Sequence, residues 1–353
     1  MQDIIVLKFG GSSLGDNKTF ANNFIKITEI IEKYQKSYKK IVIVVSALAG
    51  ETRRLKSMAE MTFAPNNLKN KDSILAFGEI FSSKLFEQYL ISVNKPAIAL
   101  VEDKLPIMVN EIYGNADIIN VDTDEINKQL NLNQIVIIPG YIGRTKNNNL
   151  ATLGFDGSDT TAITVSTYLK ADVCCLFKDV KGIYSANPRR VKLAKKIDAI
   201  SYDNMFALSI LGARIVHPKA VEQAMQNNLT IKVLPMFCND EGTSICTLGQ
   251  TEGAIGITYY EHQEIIQVSI VGNNLNHVAE DITMFLANNG IQSRVIDAFY
   301  KLHNITIALI NKQDLDYCLS ILHNLFHLDA ETEDTNKLVD NTIQAYYDPV
   351  IKS

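Results

Sequence analysis

The sequence predicts an α/β protein in which helices cover a mostly parallel sheet, followed by a smaller unit that mixes strands and helices. Two observations support this prediction. Short apolar runs alternate with longer segments whose apolar residues recur at helical spacing. The runs are apolar almost throughout, which is typical of parallel strands buried on both faces. They cover residues 4–9, 40–47, 97–101, 134–143, 171–180 and 230–235.

The segments between these runs supply the predicted helices. Helical periodicity is clearest in residues 19–36 and 159–170, where apolar residues fall on one face of a helix. In parallel α/β sheets, ligands bind beyond the carboxyl ends of the strands. The loops that follow the strands are therefore where we expect functional residues.

The character of the chain changes after residue 245, which we take as the end of the first domain, 1–245. Residues 246–262 are rich in glycine and threonine and show little periodicity, which predicts a linker or an irregular crossover. Residues 263–330 predict a small α+β domain with helices on one face of a sheet, and the acidic tail 331–353 has no predicted fold. The order in the small domain is strand 265–272, helix 277–290, strand 293–299, strand 304–310 and helix 314–327.

Composition excludes several classes of function. The chain has 353 residues, 46% of them hydrophobic, and a formal net charge of −5, so we expect no nucleic-acid partner and no membrane partner. The start lacks a basic region and no apolar run approaches the ~20 residues that span a bilayer, which predicts a cytoplasmic protein. The five cysteines show no Cys-x-x-Cys spacing, so we predict buried thiols and no metal site.

The first candidate site is the segment "IIVLKFGGSS", residues 4–13. An apolar strand runs into the Gly10–Gly11 pair, whose backbone N–H groups can face an anion. Paired glycines are more often only a tight turn. Lys8 changes the balance, because an ammonium at the end of a buried strand needs an anionic partner or solvent. This combination favours a phosphate site.

A second glycine-bearing turn lies in "ATLGFDGSDTTA", residues 151–162. Ser158 or Asp159 is a good N-cap for the predicted helix that follows, so this turn can present a helix N-terminus to phosphate. A capped helix without a ligand is the alternative. Two such turns, each after a predicted strand, favour a shared anion site more strongly than either turn alone.

Seven motifs, in order and spacing, resemble those of aspartate kinase, a member of the amino acid kinase superfamily with its three-layer α/β/α fold. The resemblance covers residues 4–240, and the small domain after it resembles an ACT domain. The motifs are "KFGGSS" (8–13), "VVSALAGET" (44–52), "FGEIFSSKL" (77–85), "PGYIG" (139–143), "TLGFDGSDTTA" (152–162), "KDVKGIYSANPR" (178–189) and "SYDNMFALSILGARIVHP" (201–218).

The resemblance implies a kinase that uses ATP and Mg²⁺ to phosphorylate the side-chain carboxylate of aspartate, giving 4-phospho-L-aspartate. It places Lys8 and Asp159 in catalysis. Gly10, Gly11 and Ser12 would line the path of the phosphoryl group. The nucleotide would contact Lys178, Asp179, Tyr184, Arg189 and Arg214, and the amino acid would contact Ser46, Thr52, Glu79, Tyr141, Phe155 and Ser158.

The chain departs from the family pattern at several positions. Phe155 stands where an arginine would hold a substrate carboxylate, and Asp156 replaces a glycine. Phenylalanine cannot replace a bidentate arginine contact. On the nucleotide side, Lys178 replaces a threonine, Asn187 an aspartate and Arg214 a lysine.

Three functions therefore stay open. The first is an aspartate kinase in which Arg53, Arg54 or Arg144 takes over the carboxylate contact. The second is a kinase for an aspartate analogue whose α-carboxylate is absent or masked. The third is a nucleotide-binding regulatory homologue with little turnover, which the presence of both Lys8 and Glu79 disfavours.

The ACT-like unit carries the predictions on assembly and regulation. Such modules commonly pair between subunits, so we expect a homodimer joined partly through residues 265–327. The family usually carries two ACT modules, and the tail is too short for a complete second one. The resemblance therefore implies weak or absent inhibition by lysine or threonine.

Overall fold

The computed structural model describes residues 2–62, 67–132, 135–154, 156–249, 253–262, 265–273, 275, 279–296 and 304–329. The chain divides into two compact units. The first comprises Met1–Lys181 and Lys219–Ser244, and the second comprises Gly182–Pro218 and the chain from Ile245 onward. Among the described residues, no helix is both long enough and apolar enough to cross a membrane.

The described residues form strands and α-helices, together with 3₁₀ turns at Glu102–Lys104 and Lys312–Asp314. The strands are β1 (Gln2–Phe9), β2 (Tyr38–Val45), β3 (Ala97–Ala99), β4 (Ile107–Val109), β5 (Ile118–Val121), β6 (Ile135–Pro139), β7 (Ile142–Arg144), β8 (Leu150–Thr152), β9 (Val173–Lys178), β10 (Ile183–Tyr184), β11 (Lys196–Ile197), β12 (Ala199–Ser201), β13 (Ile231–Pro235), β14 (Thr243–Cys246), β15 (Gly253–His262), β16 (Ile265–Asn273), β17 (Ser293–Ile296) and β18 (Ile305–Leu309). The helices are α1 (Gly11–Leu14), α2 (Phe20–Gln35), α3 (Glu51–Thr62), α4 (Leu68–Ser92), α5 (Thr123–Leu132), α6 (Gly157–Tyr168), α7 (Tyr202–Ile210), α8 (Pro218–Gln226), α9 (Ala279–Asn288) and α10 (Leu315–Leu325).

The first unit is built on parallel strands in the order β13-β9-β1-β2-β6-β3. Ile5, Leu7 and Phe9 of β1 lie in one buried cluster with side chains of α2 and α4. Because successive side chains of a strand point to opposite faces, Lys8 faces the other side of the sheet, where α6 packs against β1. Helices on both faces confirm the predicted α/β fold.

The six predicted strands are all present, with one instructive difference. The apolar run 134–143 is divided between β6 and β7, because Tyr141 adopts a left-handed backbone conformation with φ of 66°. Gly140 precedes it, and a Cβ there would lie 2.7 Å from the Cβ of Ser158. The run predicted as one strand therefore turns at Gly140 and Tyr141, and its second half enters another sheet of short strands, β5-β4-β7-β8. The sequence did not predict that sheet.

The second unit contains an antiparallel sheet in the order β15-β16-β18-β17, together with α9 and α10. The predicted order from β16 to α10 is confirmed. The predicted linker over 246–262 is wrong from Gly253 onward, because β15 pairs with β16 along its length. A register shift between Ala254 and Gly256 interrupts the alternation that would have identified the strand.

Residues 182–218 belong to the second unit, although the predicted first domain included them. Contacts of Arg190 help to explain why this segment belongs to the second unit. Its guanidinium lies over the Tyr259 ring, donates to the Tyr259 hydroxyl and pairs with Asp316. Ser185 also hydrogen-bonds to buried His323 at 2.9 Å. These contacts join residues far apart in sequence. The tail 331–353 lies outside the described residues.

Candidate active site

The candidate site of the first unit is centred on a buried ion pair. Lys8, near the end of β1, places its Nζ 2.7 Å from Oδ1 of Asp159, and the two side chains are only 7% and 1% exposed. Asp159 lies in the first turn of α6. The predicted anionic partner of the strand-end lysine is therefore a carboxylate of the protein.

A second lysine contacts the same carboxylate. Lys178 ends β9, and its Nζ lies 2.5 Å from Oδ2 of Asp159. Burial raises the pKa of Asp159, but the Lys8 and Lys178 ammoniums outweigh burial and hold that pKa below its usual value. Asp159 is therefore ionised, and two ammoniums against one carboxylate leave one net positive charge.

Other groups approach the glycine turn after β1 closely. A Cβ on Gly10 would lie 3.3 Å from Nζ of Lys8, and a Cβ on Gly11 would lie 2.9 Å from the carbonyl oxygen of Ala47. A side chain at Gly11 would collide with the backbone, whereas a Cβ at Gly10 would press only on the flexible end of Lys8. Packing therefore requires the glycine at position 11, and Ser12 is exposed at the next position.

The predicted N-cap of α6 is wrong by two or three residues. The helix begins at Gly157 after Asp156, which has a left-handed φ of 54°. Ser158 and Asp159 lie inside the first turn. This shift lets Asp159 reach both lysines, and lets Ser158 accept a 3.0 Å hydrogen bond from the Ser46 hydroxyl.

A buried carboxyl group lies near this cluster. Glu79 of α4 is 2% exposed, and its Oε2 has no hydrogen-bond partner. Burial raises the pKa of Glu79 well above its usual value, although the Lys8 charge and the backbone N–H of Ala47 oppose the shift. An orphaned carboxyl oxygen in a buried site is suited to a cationic ligand.

Sequence reasoning missed Asp72, a second buried carboxyl group of α4. Asp72 is 1% exposed and accepts hydrogen bonds from the N–H of Gly114 and from both the N–H and the hydroxyl of Thr152. Burial raises the pKa of nearby Tyr141, and the Thr152 side chain opposes that shift. A seven-residue spacing puts Asp72 and Glu79 on one face of α4, which is the signal that would have identified Asp72.

The remaining predicted residues fall into three groups. Thr52 lies half-buried in α3, and Asp179 follows Lys178 in the first unit. Tyr184, Arg189 and Arg214 belong to the second unit, where both arginines are exposed. Phe155 lies outside the described residues.

The three arginines proposed to replace the missing contact differ in their surroundings. Arg54 forms two hydrogen bonds to the carboxylate of Glu51, at 2.6 Å and 3.0 Å. Arg144 donates to the carbonyl oxygen of Asp103 at 3.0 Å. Arg53 is exposed on α3, next to Thr52.

The residues near Asp159 suit Mg²⁺ only as part of a nucleotide complex. Among the described residues, no group of three or more histidine, cysteine, aspartate or glutamate side chains is placed to hold a metal ion. Each Asp159 oxygen already faces an ammonium. Mg²⁺ commonly binds through substrate phosphates with few protein ligands, so the ion would arrive with ATP and offset the charge of its phosphates.

Comparisons with known proteins identify the family. The sequence model of the amino acid kinase family matches residues 3–235. The chain belongs to this family. Within it, the chain groups with aspartokinases: it is 34% identical to the aspartokinase of Bacillus sp. (strain MGA3), over 91% of this chain and 78% of the relative. It is also 34% identical to the aspartokinase of Geobacillus stearothermophilus, over 94% and 81% of the two chains.

Solved aspartokinase structures share the fold. E. coli aspartokinase III in complex with aspartate and ADP matches with a TM-score of 0.73 at 18% identity, over 91% of this chain and 99% of that chain. Clostridium acetobutylicum aspartate kinase matches with a TM-score of 0.70 at 18% identity, with the same coverage. The resemblance to aspartate kinase and the fold class predicted from the sequence are confirmed, and the chain is a kinase-type phosphotransferase.

Proposed function

We propose that the chain transfers the γ-phosphoryl group of ATP to the side-chain carboxylate of L-aspartate and forms an acyl phosphate. The observation that carries the proposal is the Lys8–Asp159–Lys178 cluster. It is buried, carries one net positive charge and borders the glycine turn at Gly10. Such a cluster suits a group that brings negative charge into a buried site.

The proposed reaction requires little acid–base catalysis by the protein. A carboxylic acid with an ordinary pKa near ~4 is already ionised at neutral pH, so the acceptor needs no general base. The barrier comes from repulsion between the acceptor carboxylate and the phosphates. Lys8 offsets that repulsion, while the backbone at Gly10, Gly11 and Ser12 lines the path of the phosphoryl group.

Glu79 supplies the recognition of the amino acid. Its unpartnered Oε2 would bind the ammonium of the acceptor. Ser46 directly after β2 and Ser158 in the first turn of α6 hydrogen-bond to each other. Thr52 and Tyr141 are the further proposed contacts. The nucleotide residues Asp179, Tyr184, Arg189 and Arg214 remain proposals that rest on the resemblance to aspartate kinase.

Arg53 is the arginine that we favour for the acceptor's α-carboxylate, because Phe155 offers no charge. Arg54 is held by Glu51 and Arg144 by the Asp103 carbonyl. Arg53 is exposed beside Thr52, and its guanidinium is the most available of the three. An acceptor without a free α-carboxylate would need no such residue.

A panel of acceptors tests the proposal. We expect L-aspartate, with ATP and Mg²⁺, to give ADP together with a hydroxamate when hydroxylamine traps the acyl phosphate. Aspartate amidated at its α-carboxyl group should react more slowly. If the amide is the better substrate, the protein is a kinase for an aspartate analogue. If no acceptor supports ADP release, the protein is a regulatory homologue.

We also propose a homodimer joined through the ACT-like residues 265–327. The antiparallel sheet of the second unit ends in β15 and β17 at its edges, and an edge strand is a ready site for pairing. Static light scattering of the full chain should give the mass of two copies. A mass near 39.3 kDa would show a monomer and contradict this proposal.

A further inference from the structure

The placement of Lys178 follows from the register of two neighbouring strands. Lys8 of β1 is the direct partner of Leu176 in β9, and the strands are parallel. Residues two apart on a strand share a face, so Lys178 faces the same side of the sheet as Lys8. It lies roughly 6–7 Å further along the strand direction. One carboxylate from α6 fits between the two ammoniums.

The charges of this cluster do not balance. Asp159 can neutralise one ammonium, and Lys8 already contacts it at 2.7 Å. Lys178 contacts the other oxygen, and its side chain is 18% exposed, compared with 7% for Lys8. An uncompensated ammonium in a largely buried place is costly, so the arrangement is suited to a further anion.

We propose that Lys178 is a second catalytic cation, which Asp159 holds beside Lys8 so that both ammoniums contact the phosphoryl group during transfer. This inference rests on the proposed function. It assigns Lys178 to the moving γ-phosphoryl group, in addition to general nucleotide binding. Asp159 acts through the two lysines and is a positioning residue.

Phosphoryl transfer from ATP to the acceptor carboxylate requires no proton transfer. The bond between the γ-phosphorus and the oxygen that bridges to ADP breaks, and its electron pair leaves with ADP. A bond forms between the γ-phosphorus and an oxygen of the acceptor carboxylate. No proton is transferred in this step, and the two lysines offset the charge that is shared between the entering and leaving oxygens.

A purely structural role for Lys178 makes a different prediction. If Lys178 only neutralised Asp159, its loss would affect ATP and ADP binding alike, because both nucleotides would meet the same altered site. A contact with the γ-phosphoryl group affects ATP alone. The difference between the two affinities therefore separates the roles.

The experiment compares Lys178→Met, Lys178→Arg and the control Lys181→Met, which removes an exposed lysine three residues after the end of β9. For Lys178→Met we expect kcat to fall about 10- to 100-fold. We expect its affinity for MgATP, by calorimetry, to fall about tenfold more than its affinity for MgADP, the usual scale for a charged contact. The KM for the acceptor should change little, Lys178→Arg should recover part of both losses, and Lys181→Met should match the wild type.

Two results would overturn the inference: a wild-type kcat in Lys178→Met, or equal losses of MgATP and MgADP affinity. If Lys178→Met fails to melt cooperatively, Lys178→Gln and Lys178→Arg give the same comparison, since Lys8 still partners Asp159 in each. If the wild type makes no acyl phosphate from any acceptor, the proposed function fails. The comparison of MgATP with MgADP still decides the role of Lys178 in that case.

Discussion

Replacing Lys8 with methionine should lower kcat at least about 100-fold while the protein stays folded, the usual effect of losing one charged contact to a transition state. Methionine keeps most of the side-chain volume and removes the ammonium. Asp159 keeps Lys178 as a partner at 2.5 Å, so the carboxylate is not left as an unpaired buried charge. The loss should therefore appear in turnover, measured as ADP release at saturating ATP and acceptor.

The matched control for Lys8 is Lys39→Met, which removes a lysine from the neighbouring strand β2, where its side chain is 61% exposed. Its turnover should equal that of the wild type. A Lys8→Met protein that melts cooperatively and turns over at a near-normal rate would exclude Lys8 from the chemistry.

Replacing Glu79 with glutamine should weaken acceptor binding about 100-fold and leave MgATP binding unchanged. The carboxylate is the only charge removed, and losing one partner of a buried charge pair costs about 2–5 kcal/mol. Calorimetry with each ligand measures the two affinities. Glu29→Gln, an exposed position on α2, is the control. A collapse of MgATP affinity would show that Glu79 belongs to the nucleotide site instead.

The same substitution should also change how stability depends on pH. Burial raises the pKa of Glu79 in the folded protein above that of the unfolded chain. The protonated form is therefore favoured by folding, and its contribution is complete below the unfolded value of about 4.3. It is lost as the pH rises through the folded value. Glutamine has no proton to lose at this position, so the stability of Glu79→Gln does not fall in this way. Without ligand, the melting temperature of Glu79→Gln minus that of the wild type should therefore increase as the pH rises through the folded value.

Lys8 shows how far local sequence can lead. A lysine that ends an apolar run, followed by two glycines, is enough to indicate a charged site. The sequence could not show that Lys178 shares the same carboxylate. That contact requires β9 to lie beside β1, although about 170 residues separate the two lysines along the chain.

The elements that the sequence missed have specific physical causes. The run 134–143 is apolar throughout, so only the left-handed backbone at Tyr141 reveals the turn that divides it. β15 escaped detection because its glycines and register shift hide the alternation. Asp72 gave no local motif, since its partners, Gly114 in a loop and Thr152 in β8, are distant in sequence. The turn at Tyr141, the pairing of β15 and the hydrogen bonds of Asp72 all depend on tertiary contacts.

Hydroxamate formation in wild type and Lys8→Met, with L-aspartate, ATP and Mg²⁺, tests phosphoryl transfer to a carboxylate at the Lys8–Asp159 cluster most directly. Hydroxylamine converts an acyl phosphate into a hydroxamate, and it does so only if the acceptor oxygen belongs to a carboxylate. We predict one hydroxamate per ADP released by the wild type, and a parallel loss of both products in Lys8→Met. ADP release without hydroxamate from the wild type, or undiminished hydroxamate from Lys8→Met, would contradict it.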